Sequence, residues 1–147
     1  MSIGWGECLL RLAVATILGA VIGAEREARD KPAGLRTVTL VSVSAAAFVI
    51  AAQQAAARFG EPMDVVRAMA GIAQGVGFLG AGAIVQSRRR VYWLTTAASL
   101  WAAAGIGFSV GVGMYMVGAV TALLVFVVLR AFAVIERRFF GPADDES

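Results

Sequence analysis

Three stretches of this chain contain no charged residue, and their lengths limit what it can fold into. Thr37–Ala57 runs for 21 residues, Ala68–Ser87 for 20 and Val91–Leu129 for 39. The hydrocarbon core of a bilayer is about 30 Å thick, and an α-helix crosses it in about 20 residues at 1.5 Å each. The first two runs each match one crossing. The third is roughly twice too long for one crossing and has to turn back. Gly111-Val112-Gly113 supplies the turn, because glycine adopts backbone conformations that other residues resist. This predicts helices over Leu94–Val110 and Met114–Ile135. A further apolar run, Cys8–Ala24, is interrupted only by Arg11. That side chain can snorkel to the headgroups, with Glu7 as an i,i+4 partner on the same helical face.

Composition agrees with burial in lipid. Hydrophobic residues make up 59% of the 147 and charged residues 16%, against about 45–50% and 25% in soluble domains. So much apolar surface excludes an ordinary soluble enzyme and a disordered tail. The single Cys8 excludes an internal disulfide framework, and the absence of His excludes a Cys/His metal cluster. The net charge is only +3, and the basic residues stand in short clusters between apolar runs. Such clusters are membrane flanks, not a nucleic-acid face.

The sequence therefore predicts an all-α fold, a polytopic transmembrane bundle of five helices. An odd number of crossings puts the termini on opposite sides. Arg26, Arg29, Lys31, Arg36, the Arg88-Arg89-Arg90 triplet, Arg130, Arg137 and Arg138 fall on one side, and Arg11, Arg58 and Arg67 on the other. Ten against three places the N-terminus outside and the C-terminus in the cytoplasm. Residues 1–140 are expected to form the transmembrane domain and 141–147 a short frayed tail. A cleaved leader would also suit the small pairs Gly19-Ala20 and Gly23-Ala24, but Glu7 stands where a leader carries positive charge.

Burying oil cannot drive helix pairing inside a bilayer, whereas close approach at small residues can. GxxxG spacings occur at Gly19/Gly23, Gly71/Gly75 and Gly107/Gly111. The third helix adds Gly77, Gly80 and Gly82, so one of its faces is nearly bare backbone. That face can be a packing seam inside the bundle, a broken helix lining a binding site, or a homodimer face.

Polar side chains within the spans are few. Gln74 lies deep in the third helix and is expected to make an interhelical hydrogen bond. Gln53 and Gln54 are expected to meet headgroups or water. Thr95, Thr96 and Ser99 open the fourth helix, where hydroxyls cap free amides or bond back one turn. Asp64 and Arg67 suit the cap of the third helix. The acids, Glu25 among them, are expected at the membrane edges, which disfavours a cation conduit lined by carboxylates. Asp64 is the one acid offered as a metal ligand. No glycine-rich stretch ends in Lys-Ser/Thr, so no phosphate loop and no cofactor is expected.

Four stretches, taken together, resemble the membrane domain of the MgtC/SapB family. They are Gly23-Ala24-Glu25-Arg26-Glu27, Lys31-Pro32-Ala33-Gly34-Leu35-Arg36-Thr37, Gly75-Val76-Gly77-Phe78-Leu79-Gly80-Ala81-Gly82 and Leu94-Thr95-Thr96-Ala97-Ala98-Ser99-Leu100-Trp101. The chain departs from the family pattern at Val38, where many members carry His, and at Trp93, where Gly is usual. No cytoplasmic C-terminal domain of the kind found in virulence-type members is expected, and the chain looks more like the short SapB-type form. The resemblance implies a bacterial inner-membrane protein linked to growth in low magnesium and to modulation of membrane ATPases. It points to Glu25, Arg26, Arg36, Thr37, Asp64, Arg67, Thr95 and Thr96 as functional polar positions, to which Gln74 is added for its depth. Expected helix-packing positions are Gly71, Gly75, Gly77, Gly80, Gly82, Gly107 and Gly111. The expected function is a non-enzymatic modulator acting on a membrane-protein partner. The alternatives are a small divalent-cation transporter or channel, and a homo-oligomeric scaffold.

Overall fold

A computed structural model describes residues 3–87 and 90–139. Two arginines of the Arg88-Arg89-Arg90 triplet and the expected tail lie outside the described residues. The elements in chain order are α1 (Trp5–Glu27), α2 (Leu35–Phe59), α3 (Val65–Ala83), β1 (Val85–Ser87), β2 (Arg90–Tyr92), α4 (Leu94–Val112) and α5 (Tyr115–Phe139). All five helices are long and apolar enough to cross a membrane. Gly113 makes the expected turn between α4 and α5, with φ at 98° in the left-handed region.

The third crossing is shorter than its uncharged run. Ile84 turns extended after Ala83, and Val85–Ser87 pairs antiparallel with Arg90–Tyr92. Freedom from charge marks the run as apolar but does not set its period. Here the β-branched Ile84 and Val85, with Val91 and Tyr92 opposite, favour a hairpin over another helical turn.

α4 is the central helix. It packs against the other four, and half of its span is buried within the chain. Its apolar residues surround it on every face, as an interior position requires. α1 and α5 flank it. α3 leans on α4 and touches α2 only sparsely.

Two GxxxG pairs clamp α2 between α1 and α4. A Cβ on Gly19 would lie 2.7 Å from Ser42 Cβ, and one on Gly23 would lie 2.8 Å from Leu35 Cα. From the other side, a Cβ on Gly107 would lie 1.9 Å from the Ser42 carbonyl oxygen, and one on Gly111 would lie 2.9 Å from Ala46 Cα. Ser42 sits between the two pairs and donates its hydroxyl to the Ala15 carbonyl of α1 at 2.9 Å. Such interhelical bonds stabilise membrane bundles by about 0.6 kcal/mol on average.

The α3 glycines do not behave as an internal seam. Gly80 approaches Ala97 of α4, but a Cβ on Gly71, Gly75, Gly77 or Gly82 would meet nothing within 4 Å. α3 therefore presents Gly71, Gln74, Gly75, Phe78 and Gly82 along one exposed face at i, i+3, i+4, i+7 and i+11.

Candidate functional site at the basic end of the bundle

The up-and-down course of the helices gathers the end of α1, the start of α2, the end of α3 and the start of α4 at one pole. The contacts Gly23–Leu35 and Gly80–Ala97 fix this arrangement. The joint between α1 and α2 is tight. Asp30 and Ala33 both take positive φ, at 52° and 57°. Glu27 reaches forward to accept the Leu35 backbone N–H at 2.9 Å, which caps α2. A Cβ on Gly34 would lie 1.8 Å from that carboxylate, so the cap needs glycine there.

α1 continues to Glu27, one turn beyond its apolar run, and this carries Glu25 and Arg26 into the bundle. Among the described residues these are the buried charged groups, 5% and 4% exposed. Arg26 Nη2 donates to the hydroxyl of Thr96, a buried residue in the first turn of α4. Arg29 Nε lies 2.5 Å from Glu25 Oε1. That contact is an ion pair without hydrogen-bond alignment, since neither Glu25 oxygen nor Arg29 Nε has a hydrogen-bond partner. Glu25 stands at the end of the bundle as expected, but its side chain is buried there and not exposed in a loop. Its neighbours in sequence look like a polar loop, but the helix extends through them and turns this side chain inward.

The opposite pole is built around Arg11. Its Nε donates to Glu7 at 2.8 Å, and its Nη1 to Gln53 at 3.1 Å and to the Gly111 carbonyl at 2.8 Å. Tyr115 donates its hydroxyl to Glu7 at 2.6 Å. One guanidinium thereby ties α1 to α2 and to the α4–α5 joint, at the negative end of the α4 dipole. Arg11 points inward and does not snorkel outward. Gln53 belongs to this network, and Gln54 donates to the Ile3 carbonyl at 2.7 Å, while both side chains stay partly exposed.

The remaining predicted positions separate. Arg36 and Thr37 are exposed at the start of α2, and Thr95 is exposed beside Thr96. Ser99 bonds back to the Thr95 carbonyl at 2.7 Å. Asp64 caps α3, accepting the Arg67 N–H at 2.9 Å and its Nε at 3.3 Å. The Arg67 backbone amide, then its guanidinium, hold the Asp64 carboxyl below the usual carboxylate range. Gln74 is exposed on the outer face of α3 and does not reach a neighbouring helix, which corrects its expected role. Glu25, Arg26 and Thr96 are thus the predicted positions that the fold unites. The reading of the residues gave the Arg11–Glu7 pair but missed the reach of Arg11 to Gln53 and Gly111, the Ser42 bond and the Glu27 cap. Only the 19/23 and 107/111 spacings pointed toward α2.

A five-helix membrane bundle with a buried carboxylate, guanidinium and hydroxyl cluster at one end defines the class. Residues 12–138 match the MgtC family, and the chain belongs to it. It is 43% identical over 114 residues to protein SapB of Bacillus subtilis, covering 74% of this chain and 49% of SapB. It is 38% identical over 143 residues to protein SrpB of Synechococcus elongatus, covering 90% of this chain and 79% of SrpB. Protein MgtC of Salmonella typhimurium is 44% identical over 107 residues, which are 73% of this chain and 44% of MgtC. The chain spans about half the length of SapB and MgtC. No solved structure matches it.

Proposed function

We propose that this chain is a non-enzymatic modulator in the bacterial inner membrane. It docks on another integral membrane protein, such as an ion-transporting ATPase, and so influences magnesium or envelope homeostasis. Its N-terminus lies outside and its C-terminus in the cytoplasm, following the ten-to-three bias of Lys and Arg toward the pole that bears Arg26.

The exposed face of α3 carries this reading. Glycine at a lipid-facing helical position costs about 0.8–1.0 kcal/mol relative to alanine and gains no packing in return. Gly71, Gly75 and Gly82 are all in that situation on this one face. Close approach by another helix explains them, and Gln74 on the same face offers that helix an amide. Beside them, α2 and α3 border an apolar groove of about 770 Å³ that includes Leu40, Phe48, Gly71 and Gly75. A second copy of the chain is the alternative occupant of the same face. A cation conduit is less well supported, because the buried carboxylate Glu25 stands beside two guanidinium groups that repel a divalent cation.

Photo-crosslinking in native membranes tests this. A crosslinker at Phe78 gives adducts with a second polypeptide, and one at Leu123 on the lipid-facing side of α5 gives none. Gly75→Leu removes the adduct and the effect on growth in low magnesium while leaving thermal stability unchanged. Equal adducts from both positions, or undiminished growth with Gly75→Leu, overturn the proposal.

A further inference from the structure

Arg26 is buried and shares its one nearby acid, Glu25, with Arg29. Among the described residues its hydrogen bond goes to a neutral hydroxyl, Thr96, and its Nε–H has no partner. The neighbouring acid Glu25 is engaged by Arg29 at 2.5 Å. The three side chains together carry two positive charges and one negative, and a buried charge is costly unless it is paired.

The first turn of α4 adds to the imbalance. Its hydrogen-bond ladder begins with Ala97 donating to the Trp93 carbonyl, so the amides of Leu94, Thr95 and Thr96 precede it. Trp93 stands at the cap position and contributes no side-chain hydrogen bond. Helix N-termini carry partial positive charge and unmet N–H donors. A helix start therefore meets, through Thr96, a buried guanidinium whose one nearby carboxylate is shared with Arg29.

We infer that an anionic phosphate group binds at this pole, against Arg26 and the first turn of α4. Phosphate offers several acceptor oxygens to a guanidinium fork and to helix amides at once. Arginine stays charged at any physiological pH, so the site does not depend on titration. Arg29 offsets the repulsion from Glu25 by holding its charge, which leaves Arg26 for the ligand. The phosphate can come from an anionic lipid headgroup or from solution. This inference does not depend on the partner proposed for α3.

The full chain in nanodiscs provides the test. Thermal unfolding is followed by tryptophan fluorescence in phosphatidylcholine alone, in phosphatidylcholine mixed with phosphatidylglycerol, and in phosphatidylcholine with inorganic phosphate at matched ionic strength. Phosphatidylglycerol or inorganic phosphate raises Tm by at least about 2 °C in the wild type. The exposed-site variant Arg36→Gln keeps that rise. Arg26→Gln loses it. Arg29→Gln loses it as well, because Glu25 is then free to pair with Arg26, and this variant decides the matter if Arg26→Gln does not fold. A rise with phosphatidylglycerol alone assigns a lipid headgroup, and a rise with inorganic phosphate assigns a soluble anion. No rise with either, or an undiminished rise in both arginine variants, overturns the inference.

Discussion

At the scale of single residues, the surroundings of a glycine decide its worth. Gly107 and Gly75 look alike in sequence, each in a GxxxG pair within an apolar run. A Cβ on Gly107 would fall 1.9 Å from a backbone oxygen of α2, which cannot rotate away. Gly107→Ala is therefore expected to destabilise the protein by about 1–3 kcal/mol through overpacking. Gly75→Ala is expected to be neutral or slightly stabilising, because it meets no neighbour and gains helix propensity. Denaturant titrations in detergent compare the two. Equal losses would mean that α2 is not held between the two glycine pairs as described. The sequence showed both spacings and could not rank them, since the ranking depends on which helix lies opposite.

At the scale of elements, α3 is mostly exposed, and its start is fixed by one side chain, Asp64. The folded Asp64 carboxyl titrates below its unfolded value. Its cap therefore contributes stability above the ordinary carboxylate range, and the contribution is lost as pH falls through the depressed value. Amide exchange at Arg67 is expected to speed up on acidification in the wild type. Asp64→Asn keeps a capping oxygen without titrating, so exchange in that variant, corrected for the intrinsic rate, should be independent of pH. The same acid response in both would show that the cap does not act through its charge. Residue types alone suggested the cap, because Asp at a helix start is a local signal. That the glycine face of α3 turns outward was not legible, because periodicity gives a face without its direction.

At the scale of the whole molecule, the two poles are held by different chemistry. The Arg11 network joins four helices, three through Arg11 itself and α5 through Glu7. Arg11→Ala is expected to lower Tm more than Tyr115→Phe or Gln53→Ala. A double-mutant cycle between Arg11 and Gln53 should give a non-zero coupling energy, and strict additivity would show that they do not interact. Orientation can be checked by accessibility in a Cys8→Ala background. Cysteines placed at Gly4 and at Arg138 are expected to label from opposite faces of the membrane, Gly4 from outside. Labelling of both from one face would be incompatible with five crossings.

The sequence by itself determined the class and the count. Charge-free runs of set length must lie in lipid, and Gly113 must break the longest one, because desolvating backbone and charge leaves few alternatives. Motif stretches in family order also placed the chain in its family. Only the tertiary structure decided which polar groups meet. Arg26 and Thr96 are 70 positions apart, and Arg11 lies 100 positions from Gly111. Helix rotation and neighbour choice set such encounters. Both follow from contacts at small residues such as Gly19, Ser42 and Gly107, whose energies appear only once the partner surface is present.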